Sequence, residues 1–388
     1  MRTRAHTLAA WLLTAAVLGG VVPAGGPEMA VPPAAASQSA LVPFDTSGWK
    51  TDFTRHSAPL TEITSGGPPK DGIPAIDRPE FVAVSSADEW LKPKEPVIFF
   101  ERTDDVRAYP LQILIWHEIV NDIVSGVPVA ITFCPLCNTA IAFDRRVGAR
   151  VLDFGTTGRL RFSDLVMYDR QTESWWQQAT GGAIVGELTG TRLVPLPAQI
   201  VSWDTFRRTF PGGKVLSRRT GHTRAYGQNP YAGYDNIDSS PFLYRGPRDS
   251  RLRPMERVVT VSVGPDDAAY PFSALEMVHV VNDTVGGKAI AVLFNNGVTS
   301  ALDQPSIAGS RDIGTAGVFE RTVNGKILTF ARAGGRIADQ QTGSAWNILG
   351  AAVAGPLKGA RLVPVVHGQQ FWFSWAVFRP KTRVYQPH

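Results

Sequence analysis

The only two cysteines of the 388-residue chain, Cys134 and Cys137, flank a Pro-Leu pair in the stretch VAITFCPLCNTAIAFD. That spacing supports three chemistries. Two thiolates two residues apart make a bidentate clamp for a soft metal ion. The same pair can run dithiol–disulfide exchange, with Cys134 as the attacking thiol. It can also close a structural disulfide in a non-catalytic binding module. A four-residue ring removes little chain entropy, about 2 kcal/mol by the loop-closure relation against about 3 for fifteen residues, so the staple is a weak one.

A metal needs further donors, and His117 and Met167 offer an imidazole and a thioether. With two thiolates they make a set suited to copper(I) rather than to a hard cation. Structural zinc shows a second Cys or His pair at short spacing, and none exists here. His117-Glu118 is not a zinc-protease helix, since position 121 is Asn121. Each residue also has a plain structural reading: His117 as a hydrogen-bonding side chain, Met167 as core filler. Glu118 and Asp122, four apart on one expected helix, read as capping or packing before general base and partner. Glu173 is a further acid beside a turn, and Trp175 and Trp176 read as core or groove lining. The run SRRTGHTRAYGQNPYAGYDN reads as a solvated linker before an anion-binding loop.

The elements that must carry these residues occur twice. RAYPLQILIWHEIVNDIVSGVPVAITFC from Arg107 is echoed by AAYPFSALEMVHVVNDTVGGKAIAVLFN from Ala268. YDRQTESWWQ, GTRLVPLPAQ and SWDTF return as ADQQTGSAWN, GARLVPVVHG and SWAVF. We therefore expect two tandem homologous domains, 86–220 and 255–388, joined by a linker over 221–254. Residues common to both copies serve the architecture: Tyr109/Tyr270, Asn121/Asn282, Asp122/Asp283, Asp169/Asp339, Thr172/Thr342, Ser174/Ser344 and Trp176/Trp346. The four candidate ligands are lost together in the second copy, where Asn295, Val298, Val278 and Ile337 replace Cys134, Cys137, His117 and Met167. The first copy carries the site, and the second is scaffold.

Each unit reads as α+β. EPVIFFER is a strand, followed by a short amphipathic helix from Tyr109-Pro110, where proline suits the first turn. Leu111, Leu114, Ile115, Val120 and Ile123 form its core face. Strands near 127–133, 140–143, 151–154 and 165–168 complete a mostly antiparallel sheet or barrel-like layer, with the helix to one side. The cysteine pair falls between two strands, not at the head of a helix as in a thioredoxin site.

The blocks YPLQILIWHEIVND, TFCPLCNTAIAFD, LVMYDRQTESWWQ and GTRLVPL resemble the bacterial family catalogued as domain of unknown function 3179, over roughly Val97 to Tyr385. The Cys-Pro-Leu-Cys block is highly specific to it. The resemblance implies no settled activity. Some members are selenoproteins with selenocysteine in this motif, which implies redox or soft-metal chemistry at Cys134 or Cys137.

Composition excludes other classes. A formal charge of +5 is modest and its basic residues are scattered, which argues against nucleic acid. No phosphate-cradling glycine loop, Gly-x-Ser-x-Gly elbow or dinucleotide fingerprint is present. Arg2 and Arg4 before the apolar Leu8–Val22 read as a signal peptide over 1–24, with an uncleaved anchor as the alternative, followed by a disordered Pro/Ala-rich tether over 25–50. No cysteine follows the apolar run to take a lipid. We thus expect an exported soft-metal protein, most simply a copper protein, or else a dithiol oxidoreductase, acting with a small molecule or a redox partner.

Overall fold

Short β-branched runs broken by Gly, Asp and Asn turns dominate this chain, and the computed structural model, which describes residues 42–387, is mostly β. Strands take 41% of the chain and helices 10%, so the α+β expectation is corrected to several small, largely antiparallel sheets, none closed into a barrel. The physical reason is that every described helix ends within two turns, and helices Leu111–His117 and Phe272–Val278 hand the chain to a strand after a single residue. The expected signal peptide, 1–24, and tether residues 25–41 lie outside the described residues. Tether residues 42–50 are packed: Phe44 and Trp49 lie 5.4 and 4.9 Å from the Trp175 ring.

Two strands, β1 (Pro96–Arg102) and β2 (Asp105–Pro110), pair in a hairpin and lead into helix α1 (Leu111–His117). Sandwiched in the core, α1 buries six of its seven residues, with only Trp116 partly open. The expected amphipathic stripe fails at its far end. Val120 and Ile123 belong to strand β3 (Ile119–Val124), where Ile123 is exposed. Glu118 stops the helix by taking φ 58°, with its N–H still bound to Leu114 O at 2.7 Å. The β-branched residues that follow then pair with β4 (Val127–Cys134), which pairs in turn with β5 (Thr139–Asp144). A second sheet holds the long hairpin β6 (Phe154–Arg161) and β7 (Asp164–Asp169), then β8 (Trp175–Gln177) and β9 (Gly182–Val185).

The second half lays down the same order: hairpin 257–263/266–271, helix 272–278, strands 280–285, 288–295 and 315–320. Its internal bonds match those of the first. Tyr109 donates to Asp122 at 2.6 Å, as Tyr270 does to Asp283 at 2.7 Å. Trp176 Nε1 donates to Asp169 at 2.9 Å, as Trp346 Nε1 does to Asp339 at 2.9 Å. All described residues belong to one compact unit. The 221–254 segment is packed into it: Asp235 is buried in an ion pair with Arg257 at 2.6 Å and accepts from Ser300 Oγ at 2.5 Å.

The matched pairs allow a direct stability comparison. Asp122 and its partner Arg107 are nearly sealed from water, whereas Arg383, the partner of Asp283, is half exposed. Asp122→Ala leaves the buried Tyr109 phenol without its acceptor and takes from Arg107 one of its two carboxylates, Asp105 remaining at 2.6 Å, and lowers unfolding stability by about 2–4 kcal/mol. Asp283→Ala costs about 1–2 kcal/mol. Urea midpoints of the two variants, at constant m-value, measure the difference.

Candidate functional site

Two hairpin tips from different sheets meet at the cysteines. The β4–β5 hairpin turns through Pro135-Leu136-Cys137-Asn138, with Cys134 opposite Thr139. Asn138 supplies the left-handed residue, at φ 53°, and returns its N–H to Pro135 O at 3.1 Å. The β6–β7 hairpin turns through Phe162 and Ser163, at φ 54° and 64°, with Arg161 opposite Asp164. Such a turn favours Asn-Gly or Gly-Gly, and non-glycine residues there cost of the order of 1 kcal/mol each. The matching hairpin of the second half does use glycines, Gly334 and Gly335, and is four residues shorter on its first strand and two on its second. The extra length is what carries Asp164 to the cysteines.

Both thiols are free and buried. Cys134 Sγ donates to Cys137 Sγ at 3.0 Å, and Cys137 Sγ donates to Asp164 Oδ2 at 3.1 Å and to Ser163 O at 3.3 Å. The second carboxylate oxygen, Oδ1, accepts from Gln177 Nε2 and from the Ala179 N–H. Sγ of both cysteines and an Asp164 oxygen lie within 4.8 Å of one another. The turn itself is clamped from outside. Leu136 O accepts from the Tyr234 hydroxyl at 3.0 Å and Cys137 O from the Phe371 N–H at 2.9 Å, so the 221–254 segment and the second half both brace it.

The electrostatics are one-sided. Burial pushes the Cys137 thiol well above its usual range and Cys134 upward too, and the Asp164 charge adds to both. Burial raises Asp164 to about 6 and Glu118 to about 8, the latter helped by the Asp164 charge. The closest cation acting on Asp164 is Arg161, already paired with Glu62 at 2.6 Å. Four proton-carrying groups are thus buried close together, and the one cation acting on Asp164, Arg161, is shared with Glu62.

Of the residues singled out from sequence, the structure brings Cys134 and Cys137 together and adds Asp164. His117 stands apart with both ring nitrogens engaged, Nδ1 with Pro74 O and Nε2 with the Tyr226 hydroxyl, each at 2.7 Å, and burial lowers it to about 4. Met167 is fully buried in the apolar cluster that also holds both cysteines, between Thr156 and Trp176 across the sheet. Glu118 and Asp122 do not pair: Asp122 serves Tyr109 and Arg107, while Glu118 faces a cavity beside Leu136 and Leu165. Glu173 holds the N-terminal segment through Lys50 N–H and Lys70. The signal that finds Asp164 and Glu118 is the comparison of the halves, which puts Gly334 and His279 in their places.

With this geometry in view, comparison with known proteins assigns a lineage. The family model described as protein of unknown function (DUF3179) matches residues 70–382. The chain belongs to this family. No curated protein matches it, and no solved structure does. The DUF3179 span includes both hairpin tips, Glu118 and the 221–254 segment.

The raised carboxyls set a pH dependence for the metal-free protein. A carboxyl that is harder to ionise when folded binds more protons in the native than in the unfolded state between about pH 4.5 and 8. Stability therefore falls as pH rises through that window, by at most about 1.4 kcal/mol per unit for each such group. Glu118→Gln removes one proton from the balance and flattens the slope between pH 6 and 8. Urea unfolding of chelator-treated protein across pH 5–8 reads it.

Proposed function

We propose that this protein holds one transition-metal ion between Cys134, Cys137 and Asp164, and that the ion is the working part of the site. The observation that carries the reading is the burial of four acidic groups together with no ion-paired cation among the described residues, Arg161 being paired with Glu62. Such a cluster is unfavourable when ionised by itself, and a bound cation inverts that balance by favouring the deprotonated thiols and carboxylate. The donor set fits a metal: two sulfurs and one oxygen converge, and Gln177 and the Ala179 N–H hold the carboxylate in place as an outer shell. Pairing with His117 and Met167 would favour copper(I). A carboxylate beside the two thiolates moves the set toward borderline ions, so zinc(II) joins copper as an occupant. Three protein donors leave a fourth position, the arrangement of a reactive rather than a sealed zinc centre.

The second reading is dithiol exchange. Its support is the 3.0 Å approach of the two sulfurs, with Asp164 placed to accept the Cys137 proton as the pair is oxidised. Against it stand the burial of both sulfurs and surroundings that disfavour thiolate, whereas reactive cysteines sit in electropositive, partly open places. Export rests on Arg2, Arg4 and the apolar stretch Leu8–Val22. The matched bonding of the two halves supports descent from a duplication.

Metal analysis of protein purified without chelators, and again after zinc(II) and copper(I) reconstitution under reducing conditions, tests the reading. About one equivalent is expected, abolished by Cys134→Ser/Cys137→Ser and bound at least about tenfold more weakly by Asp164→Asn. Absence of metal in every wild-type sample would falsify the metal centre, and the reduction potential of the pair then becomes the measurement that matters.

A further inference from the structure

A cavity of about 390 Å³ opens against the cysteine site. Its wall contains Leu136, the residue between the cysteines, Leu165, the neighbour of Asp164, and Glu118. This volume lies within the roughly 300–1,000 Å³ of small-molecule sites. The rest of the wall is mainly apolar, with Leu160, Tyr231 and Phe242 prominent, and Phe242 leaves half of its ring area to solvent.

Besides Glu118, one charged side chain breaks this apolar character. Arg159 lines the same cavity, and among the described residues it makes no ion pair within 4.0 Å. Its guanidinium has a single hydrogen bond, Nη2 to Asp45 O at 3.3 Å, and rests 4.7 Å from the Phe44 ring centroid. Nearby arginines are placed differently: Arg161 is paired with Glu62, and Arg145 with Asp153. The Asp45 carboxylate acts on it only from beyond ion-pair distance, and a partly desolvated guanidinium so placed offers a planar fork that matches a carboxylate in two parallel hydrogen bonds. Phosphate fits the fork less well in this setting, because Arg159 is the only cation in the cavity wall and the remaining surface is oily.

We propose that this cavity is the substrate site of the metal centre and that it takes a small organic acid, an apolar body carrying one carboxylate held by Arg159. The proposal rests on the metal reading above only for what happens to that molecule; the recognition itself needs only the cavity and Arg159. Leu136 and Leu165 then bring the apolar body alongside the cysteine turn, and Tyr231 and Phe242 shield its other side.

The probe is 2-naphthoate, compared with neutral 2-naphthamide of the same shape, titrated by calorimetry into the full chain while metal content is measured on the same samples. The wild type is expected to bind naphthoate about tenfold or more tightly than the amide. Arg159→Gln abolishes that preference while leaving amide binding unchanged, Arg159→Lys retains part of it, and Phe242→Ser weakens both probes. Equal binding of the two probes, no binding of either to the wild type, or a preference that survives Arg159→Gln overturns the proposal. Selective naphthoate binding to metal-free wild type that cannot be reconstituted supports the cavity and overturns the metal centre. Full metal content without selective binding does the reverse.

Discussion

Everything around the cysteine turn answers to one constraint, the burial of four acidic groups together with no cation of their own, Arg161 being shared with Glu62. An isolated ion is costly in a low-dielectric interior, so each group retreats to its neutral form and its proton affinity rises. Proteins rarely keep such a cluster for stability, since apolar residues of like size would pack there at no electrostatic cost. What a cluster of this kind does well is receive a positive charge. The direction of every shift at the site, thiols and carboxyls alike, is the one that a metal ion would reverse.

Holding the cluster together takes strain and bracing from the rest of the chain. Glu118, Asn138, Phe162 and Ser163 all adopt positive φ within the elements that converge on the site, and only Asn138 is of a type that tolerates it readily. Strained backbone persists where its surroundings over-determine it. Here the surroundings are the second half, through Phe371 N–H on Cys137 O and Gln370 beside Thr139, and the 221–254 segment, through Tyr234 on Leu136 O. The half without cysteines is therefore mechanically part of the centre. The shared frame of the halves, Asp169 with Thr172 and Trp176, Asp339 with Thr342 and Trp346, is bonded at the same distances in both. Departures from it gather where the chemistry is.

What was legible in the sequence follows from the range of the signals. The cysteine pair between two strands, the helix start at Pro110 and the core strands were readable, because alternation and proline act locally. The end of α1 was not, since Glu118 is an ordinary helix former and only the pairing of Ile119–Val124 with β4 forces it into the left-handed region. Asp164 was hidden for another reason. Its approach to Cys137 depends on a hairpin whose strands are four and two residues longer than those of its counterpart, a length difference that reads as a mere register shift along the chain. The tyrosines of 221–254 looked like linker because their partners, His117 and the Leu136 carbonyl, lie more than 90 residues away.

That segment also bears on which chemistry the site can perform. Tyr234 fixes the cysteine turn through Leu136 O, and its neighbour Tyr231 lines the cavity on the far side of the same residue. Bracing and access are thus built from one stretch of chain. A protein-sized disulfide partner must reach a sulfur directly, and here both sulfurs lie behind Leu136, Leu165 and the tyrosines. A small molecule needs only the cavity. On the metal reading proposed above, an ion held by Cys134, Cys137 and Asp164 would be the intermediary that sits next to the cysteines without exposing them. The burial that makes the thiols poor nucleophiles would, for the metal centre proposed above, serve to keep water away from it.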